Sequence, residues 1–205
     1  MTPDGPTAPD LLQRLIRFDT SNPPGRERAC VEWIDELLGE HGLETRTVAR
    51  EPGRPNLLAR LPGRDRAPPL LLYGHVDVVP ARADEWRHPP FEGVRRDGWI
   101  WGRGALDMKG GVAMLLAALL RVRRSGTAPA GDVLLAVLAD EEAGGECGAR
   151  FLTEEHPGLF DGVRWAIGEF GGFPLHLDGQ KFYPVQVAEK GVCWMEARIR
   201  GRPGH

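Results

Sequence analysis

Residues 70–80, Leu-Leu-Leu-Tyr-Gly-His-Val-Asp-Val-Val-Pro, constrain the fold of this chain more than any other stretch. Their apolar first part, Leu70 to Tyr73, is typical of a β-strand that is buried on both faces, as in a parallel sheet. Side chains two apart on a strand point to the same side, so we expect His75 and Asp77 side by side just beyond the strand's carboxyl end. The pair needs an explanation, because unpaired polar groups are costly to bury.

Two interpretations of the His75–Asp77 pair are open at this point. In the simpler one, the imidazole N–H donates to the carboxylate and the pair only satisfies itself. In the other, Asp77 orients His75 so that the second ring nitrogen can bind a metal. A bare His-x-Asp pattern is common by chance, so the choice depends on the rest of the chain.

The remaining apolar runs predict the fold class. Residues 132–139 read as another buried strand and residues 165–168 as a short apolar strand, with helical patterns between them, most clearly at Val112 to Val122. Strands that alternate with helices predict an α/β domain with a largely parallel sheet flanked by helices. In such sheets, ligands bind beyond the carboxyl ends of the strands.

Local signals predict further boundaries. Asp10 with Gln13 resembles a helix capping box, and Gly42 is the expected C-terminal cap of a second helix. Strands are expected at residues 43–48 and 56–61. Residues 81–104 are expected to form a loop.

From Val185 the pattern changes to that of a half-exposed strand, first at residues 185–187 and again at residues 193–199. We therefore predict a main domain over residues 1–184. Residues 185–205 are predicted to be the first strand of a second domain that is cut off.

Composition excludes several classes of function. The formal net charge of −3 gives no basic surface for nucleic acid. The longest apolar run, Val112 to Leu120, is far too short to cross a membrane, and the N-terminus does not resemble a signal peptide. Cys30, Cys147 and Cys193 show no metal or redox spacing, which predicts free thiols and a cytoplasmic location.

Acidic residues recur where the strands end. Glu141 and Glu142 follow one apolar strand, Glu169 follows another, and Asp107 lies in a glycine-rich loop before a helix. The glycine spacing of that loop fits neither a dinucleotide site nor a P-loop. Several carboxylates in one crevice repel one another, and two divalent cations would relieve this repulsion. Mixed nitrogen and oxygen ligands suit zinc, with manganese or cobalt as substitutes.

Each acidic group also has an ordinary explanation. The acidic triplet at residues 140–142 is most often a solvated helix start, Asp107 could cap the helix after it, and Glu169 could be a loop acid. Their joint occurrence at strand ends, with glycines beside them, favours a metal site.

Three motifs carry a family resemblance: residues 73–80 (Tyr-Gly-His-Val-Asp-Val-Val-Pro), residues 102–111 (Gly-Arg-Gly-Ala-Leu-Asp-Met-Lys-Gly-Gly) and residues 140–145 (Asp-Glu-Glu-Ala-Gly-Gly). They resemble the zinc exopeptidases and deacylases that include carboxypeptidase G, acetylornithine deacetylase, succinyl-diaminopimelate desuccinylase and aminoacylase. Residues 21–25 and 201–205 match the flanking motifs of that family. The resemblance implies a zinc exopeptidase-like catalytic domain followed by the start of a smaller α+β lid domain.

The resemblance also implies a ligand set for two zinc ions. His75 and Glu169 would bind the first ion, Glu142 the second, and Asp107 would bridge them. The peptide bond between Asp107 and Met108 is expected to be cis, as in the family.

The remaining roles implied by the resemblance are catalytic. Asp77 would orient His75, and Glu141 would be the general base for a zinc-activated water. His205 matches a lid-domain histidine that stabilises the oxyanion in a neighbouring subunit's active site, so a homodimer through the lid domain is expected of the full-length protein.

The expected activity is hydrolysis of the amide bond of an N-acyl amino acid or a small peptide. The family's last zinc ligand, a histidine, has no counterpart before residue 205. We therefore expect a C-terminally truncated enzyme, inactive as an isolated chain. Two alternatives remain: a catalytically incomplete module that binds at most a metal or a partner, and an aminopeptidase with a similar site on another fold.

Overall fold

The structure is a computed structural model that describes residues 5–169, 174–188, 190–191, 193, 195–198 and 200–201. The chain forms two compact units, Met1–Glu169 and Phe170–His205. In chain order the helices and strands of the first unit are α1 (Ala8–Ile16), α2 (Arg28–Glu40), β1 (Glu44–Ala49), β2 (Pro55–Leu61), β3 (Leu70–His75), β4 (Val94–Arg96), β5 (Trp99–Trp101), α3 (Lys109–Arg124), β6 (Val133–Leu138), α4 (Ala149–Glu155) and β7 (Trp165–Ile167).

A five-stranded sheet in the order β1-β2-β6-β3-β7 forms the centre of the first unit. β6, β3 and β7 are parallel to one another, and β2 is antiparallel to both β6 and β1. In the register of β3 and β6, His75 lies opposite Leu138, so both strands end at the same edge. The predicted α/β class with a largely parallel central sheet is confirmed.

The central strands are buried on both faces. In β2, Leu57 belongs to one apolar cluster and Leu58 to another, as expected for neighbouring side chains on a strand. The larger cluster packs the sheet against α1, α2 and α3, and the smaller one packs it against Phe151 and Leu152 of α4. This layering explains why the strands read as continuous apolar runs.

The capping box of α1 lies one turn earlier than predicted. Thr7 is the N-cap, and its hydroxyl accepts from the backbone N–H of Asp10, whose carboxylate contacts the backbone N–H of Thr7 in return. Pro9 fits the first turn because it lacks an N–H that would need a partner there. Gln13 instead donates its side-chain amide to the Gly93 carbonyl at 2.8 Å.

The other local predictions are partly confirmed. Gly42, at φ +69°, follows the end of α2 as the expected left-handed cap residue. The predicted loop at residues 81–104 contains the short hairpin of β4 and β5 and a 3₁₀ turn at Ala83–Glu85. Asp97 and Gly98, both at positive φ, form the tight turn of that hairpin.

The second unit contains an antiparallel hairpin of β8 (Leu175–Leu177) and β9 (Gln180–Phe182). Residues 185–187, predicted to begin a strand, lie outside the helices and strands. The strand predicted at residues 193–199 falls partly outside the described residues, and the domain boundary after residue 184 stays a prediction. None of the helices that the structure describes has the length and apolar character needed to cross a bilayer.

Candidate metal centre

The candidate site lies where the three parallel strands end. His75 is the last residue of β3, Glu141 and Glu142 follow β6 in a 3₁₀ turn, and Glu169 follows β7. Asp107 reaches the same edge from the loop before α3. The sheet topology therefore brings together residues that are up to about ninety positions apart in the sequence.

His75 is buried, and its two ring nitrogens have different neighbours. Nδ1 lies 3.0 Å from the Asp77 carbonyl and 3.3 Å from the Asp77 carboxylate. Nε2 lies 3.1 Å from the Asp107 carboxylate, and the carboxylates of Glu141 and Glu169 follow at 3.7 and 3.9 Å. With its proton on Nδ1, the imidazole would present the Nε2 lone pair to these three carboxylates. This geometry favours the metal-ligand interpretation over a pair that only satisfies itself.

The Asp107 loop is held closely against the rest of the site. The bond between Asp107 and Met108 is cis, which confirms the prediction. At Gly104, φ is +82°, and a Cβ there would lie 2.8 Å from Cγ1 of Val78. Lys109 is fully buried and donates to the Phe18 carbonyl at 2.8 Å. The loop is therefore fixed on both sides of Asp107.

The electrostatics of the cluster favour a positive charge at its centre. Burial, and next the neighbouring Asp107 carboxylate, raise the pKa of Glu169 to about 7. The same two causes raise the pKa of Glu142. Burial alone would lower the pKa of His75, but the Asp77 and Glu141 carboxylates outweigh it and raise that pKa to about 9. A bound divalent cation would relieve the repulsion among these carboxylates.

The donor set fits a metal ion. One ligand atom each from His75, Asp107 and Glu169 lies within 4.8 Å of the others. One imidazole nitrogen with carboxylate oxygens suits zinc. Glu142 lies in the same 3₁₀ turn as Glu141, and the Asp107 charge contributes, after burial, to its raised pKa.

Asp77 has a wider role than the sequence indicated. It is fully buried and accepts from the side-chain amide of Asn22 at 2.8 Å and from the backbone N–H groups of Glu141 and Glu142 at 3.0 and 3.1 Å. Burial raises the pKa of this carboxyl, but the contacts to His75 and Asn22 outweigh it and lower the pKa. One carboxylate thus holds both the imidazole and the turn that carries the two glutamates.

The structure brings together six of the seven predicted site residues: His75, Asp77, Asp107, Glu141, Glu142 and Glu169. His205 lies outside the described residues. The sequence did not identify four further polar residues that the structure buries: Asn22, Glu27, Arg54 and Asp140. The only signals for them were the motif at residues 21–25, which contains Asn22, and the position of Asp140 directly after a buried strand.

Comparison with known proteins gives consistent matches. A model of the family described as Peptidase family M20/M25/M40 matches residues 71–192. Succinyl-diaminopimelate desuccinylase of Paracoccus denitrificans (strain Pd 1222) is 43% identical over 212 residues, covering 100% of this chain and 52% of that protein. The chain spans about half the length of such relatives. It covers between 50% and 52% of the length of three of the desuccinylases.

Solved structures share the fold. Human carnosine dipeptidase 1 superposes with a TM-score of 0.67 at 23% identity, covering 77% of this chain and 37% of that chain. The Bacillus subtilis YXEP protein, described as a dinuclear metal binding peptidase, superposes with a TM-score of 0.58 at 20% identity, covering 78% of this chain and 41% of that chain.

Proposed function

The chain belongs to peptidase family M20/M25/M40, and on this premise we propose that it carries the metal-binding residues of a dinuclear zinc hydrolase acting on N-acyl amino acids or small peptides. The observation that carries the proposal is the position of His75. Its Nε2 faces carboxylates from three separate segments of the chain, at 3.1, 3.7 and 3.9 Å.

The proposed ligands divide between two ions. His75, Asp107 and Glu169 would hold the first, whereas Glu142 would hold the second together with Asp107. Bound zinc would polarise the scissile carbonyl and make a water molecule more acidic near neutral pH. Cobalt or manganese could replace zinc with the same donor set.

Glu141 is the proposed general base. Its carboxylate is half-exposed, lies 3.7 Å from His75 Nε2 and is not part of the ligand group that His75, Asp107 and Glu169 form. A carboxylate in this position can take a proton from the attacking water and pass it to the departing amine. The Asp77 contacts to the backbone of Glu141 and Glu142 keep the base and the ligand at fixed separation.

The proposed substrate class rests on the desuccinylase relatives, whose names indicate cleavage of an acyl group from an amino acid. The homodimer, the cytoplasmic location and the oxyanion role of His205 stay predictions. The alternative of a non-catalytic metal-binding module also stands, because only Asp107 and Glu142 serve the second ion among the described residues.

The test is the metal content of the purified chain, measured by elemental analysis for the wild type and for Asp107→Ala and Glu141→Ala. We expect the wild type to bind zinc, Asp107→Ala to lose it, and Glu141→Ala to keep it. Two zinc ions in the wild type would favour the hydrolase, and one would favour the metal-binding module. Equal zinc in the wild type and Asp107→Ala would contradict the proposed site.

A further inference from the structure

Four buried polar residues outside the proposed ligand set connect the start of α2 to the metal centre. This group, which we call the Arg54 network, consists of Glu27, Arg54, Asp140 and Asn22. All four are at most 9% exposed. Burying four polar side chains is unfavourable unless each replaces its lost contacts with water by hydrogen bonds or ion pairs inside the protein.

The contacts form a continuous path. Arg54 donates Nη2 and Nε to the Glu27 carboxylate at 2.7 and 3.3 Å, and Nη1 lies 2.8 Å from Oδ1 of Asp140. The Asn22 side-chain amide donates to that same Asp140 oxygen at 3.0 Å and to Asp77 at 2.8 Å. Asp77 in turn contacts Nδ1 of His75. Arg54 is thus connected through three hydrogen-bonded side chains to the imidazole.

Charge balance makes Arg54 the central member. It is the one cation of the network, and it lies between two buried carboxylates. Without it, Glu27 and Asp140 would both be buried with no opposite charge, which is strongly unfavourable. Asp140 would then be free to draw the Asn22 amide away from Asp77, because that amide supplies one N–H to each carboxylate.

Local backbone features are shaped around the same contact. Gly25 has φ +83°, and a Cβ there would lie 2.2 Å from Nε of Arg54. Asp140 is itself at φ +66°, and its second oxygen accepts from the backbone N–H of Cys147 at 2.9 Å. The loop at residues 21–25 and the segment after β6 are therefore both folded onto the Arg54 network.

We infer that Arg54 is a positioning residue of the metal centre, acting through Asp140 and Asn22 on the Asp77 carboxylate that orients His75. The inference rests on the proposed metal site and extends it by two layers of residues. Outer-shell partners of metal-binding histidines typically change metal affinity by about 10–100-fold when they are removed. Arg54 is further out than those partners, so we expect a loss near the lower limit.

The experiment titrates the purified chain with Co²⁺, following its visible absorption to obtain a dissociation constant and a ligand-field spectrum. We expect Arg54→Met to weaken Co²⁺ binding by about 10-fold and to change the spectrum. Arg54→Lys keeps the charge but not the forked pair of donors, so its Co²⁺ affinity should lie between those of the wild type and Arg54→Met. Arg60→Met is the control: Arg60 lies on β2 and pairs with Asp132, just before β6, outside the Arg54 network, so this change should leave Co²⁺ binding unchanged.

A second variant separates positioning from folding. The double variant Glu27→Gln with Arg54→Met removes both charges of the buried Glu27–Arg54 pair. Glu27 is then not left as a charged group without a partner, while Asp140 still loses its cation. A folded double variant, by circular dichroism, with weakened Co²⁺ binding supports the inference. Wild-type affinity and spectrum in that variant would overturn it, whereas a wild type that binds no Co²⁺ would overturn the proposed function as well.

Discussion

Gly110 has no side chain, and this allows the Asp107 loop to lie close against α3. It belongs to the first turn of α3, and a Cβ there would be 2.3 Å from the carbonyl oxygen of Ala105. That oxygen is backbone, so it can move only with the loop. The neighbouring Gly111 differs, because its Cβ would meet only Cε of Met108, at 2.9 Å, and this is the far end of a flexible side chain.

We therefore expect Gly110→Ala to lower the free energy of unfolding by about 1–3 kcal/mol, the usual cost of overpacking. Gly111→Ala should be nearly neutral, since the gain in helix propensity of about 1 kcal/mol offsets the shift of Met108. Urea unfolding followed by circular dichroism measures both. Equal stability of the two variants would show that the loop yields to the added methyl group.

At the scale of elements, hydrophobic pattern predicted the strands well because these strands are buried. The bounds of β2 and β6 lie within one residue of the predicted ones, whereas β3 continues two residues past the predicted apolar part, to His75. The hairpin of β4 and β5 was not predicted, because its three-residue strands carry charges and tryptophans with no clear alternation. The Arg54 network escaped prediction for another reason: Glu27 and Arg54 are far apart in sequence, and nothing local distinguishes them from surface residues.

Asp132, just before β6, joins that strand to β2 and gives a pH-dependent test. Its carboxylate accepts from the backbone N–H of Gly63 at 2.7 Å and from Nε of Arg60 at 2.5 Å. The Gly63 contact, then that of Arg60, outweighs burial and lowers the pKa of Asp132. The folded state therefore favours the ionised form, and its stabilising effect is present above the unfolded pKa of about 3.9.

We expect Asp132→Asn to be less stable than the wild type by about 1 kcal/mol at pH 7. The difference should shrink as pH falls below about 4, through the lowered pKa of the folded state, because the wild-type carboxylate is then protonated. Urea unfolding at pH 7 and at pH 3 measures this change. Asp97→Asn, at a largely exposed turn position, is the control for the loss of a surface carboxylate. If the stability difference between Asp132→Asn and the wild type stayed constant with pH, this would contradict the stabilising role of the ionised Asp132 carboxylate.

At the scale of the whole molecule, the site is a product of topology. The sequence placed acidic residues after strands, and the rule that parallel strands end at one edge predicted that they would converge. It did not predict their separations, which depend on how the turn after β6 packs on Asp77 and how the Asp107 loop packs against Val78. Burial and the neighbouring Asp107 carboxylate raise the pKa values of Glu142 and Glu169. A cation bound to the folded site would offset this repulsion, so metal binding should be coupled to folding.

We expect zinc to raise the melting temperature of the chain. A free concentration of 100 times the dissociation constant adds about 2.7 kcal/mol to the free energy of unfolding, which corresponds to a shift of about 5–10 °C for a chain of this size. Differential scanning calorimetry with zinc and with EDTA measures it. The experiment is best made in a Cys193→Ser background, because Cys193 is an exposed thiol that can itself bind zinc.

Asp107→Ala distinguishes the proposed site from casual binding to surface carboxylates. It removes the carboxylate that lies nearest Nε2 of His75, so it should lose most of the zinc-dependent shift. Ca²⁺ should give a smaller shift than zinc in the wild type, because it prefers an all-oxygen ligand set. If zinc stabilised Asp107→Ala as much as the wild type, the coupling between metal and fold would have to arise elsewhere in the molecule. The convergence of the strand ends would then be a structural feature without the proposed function.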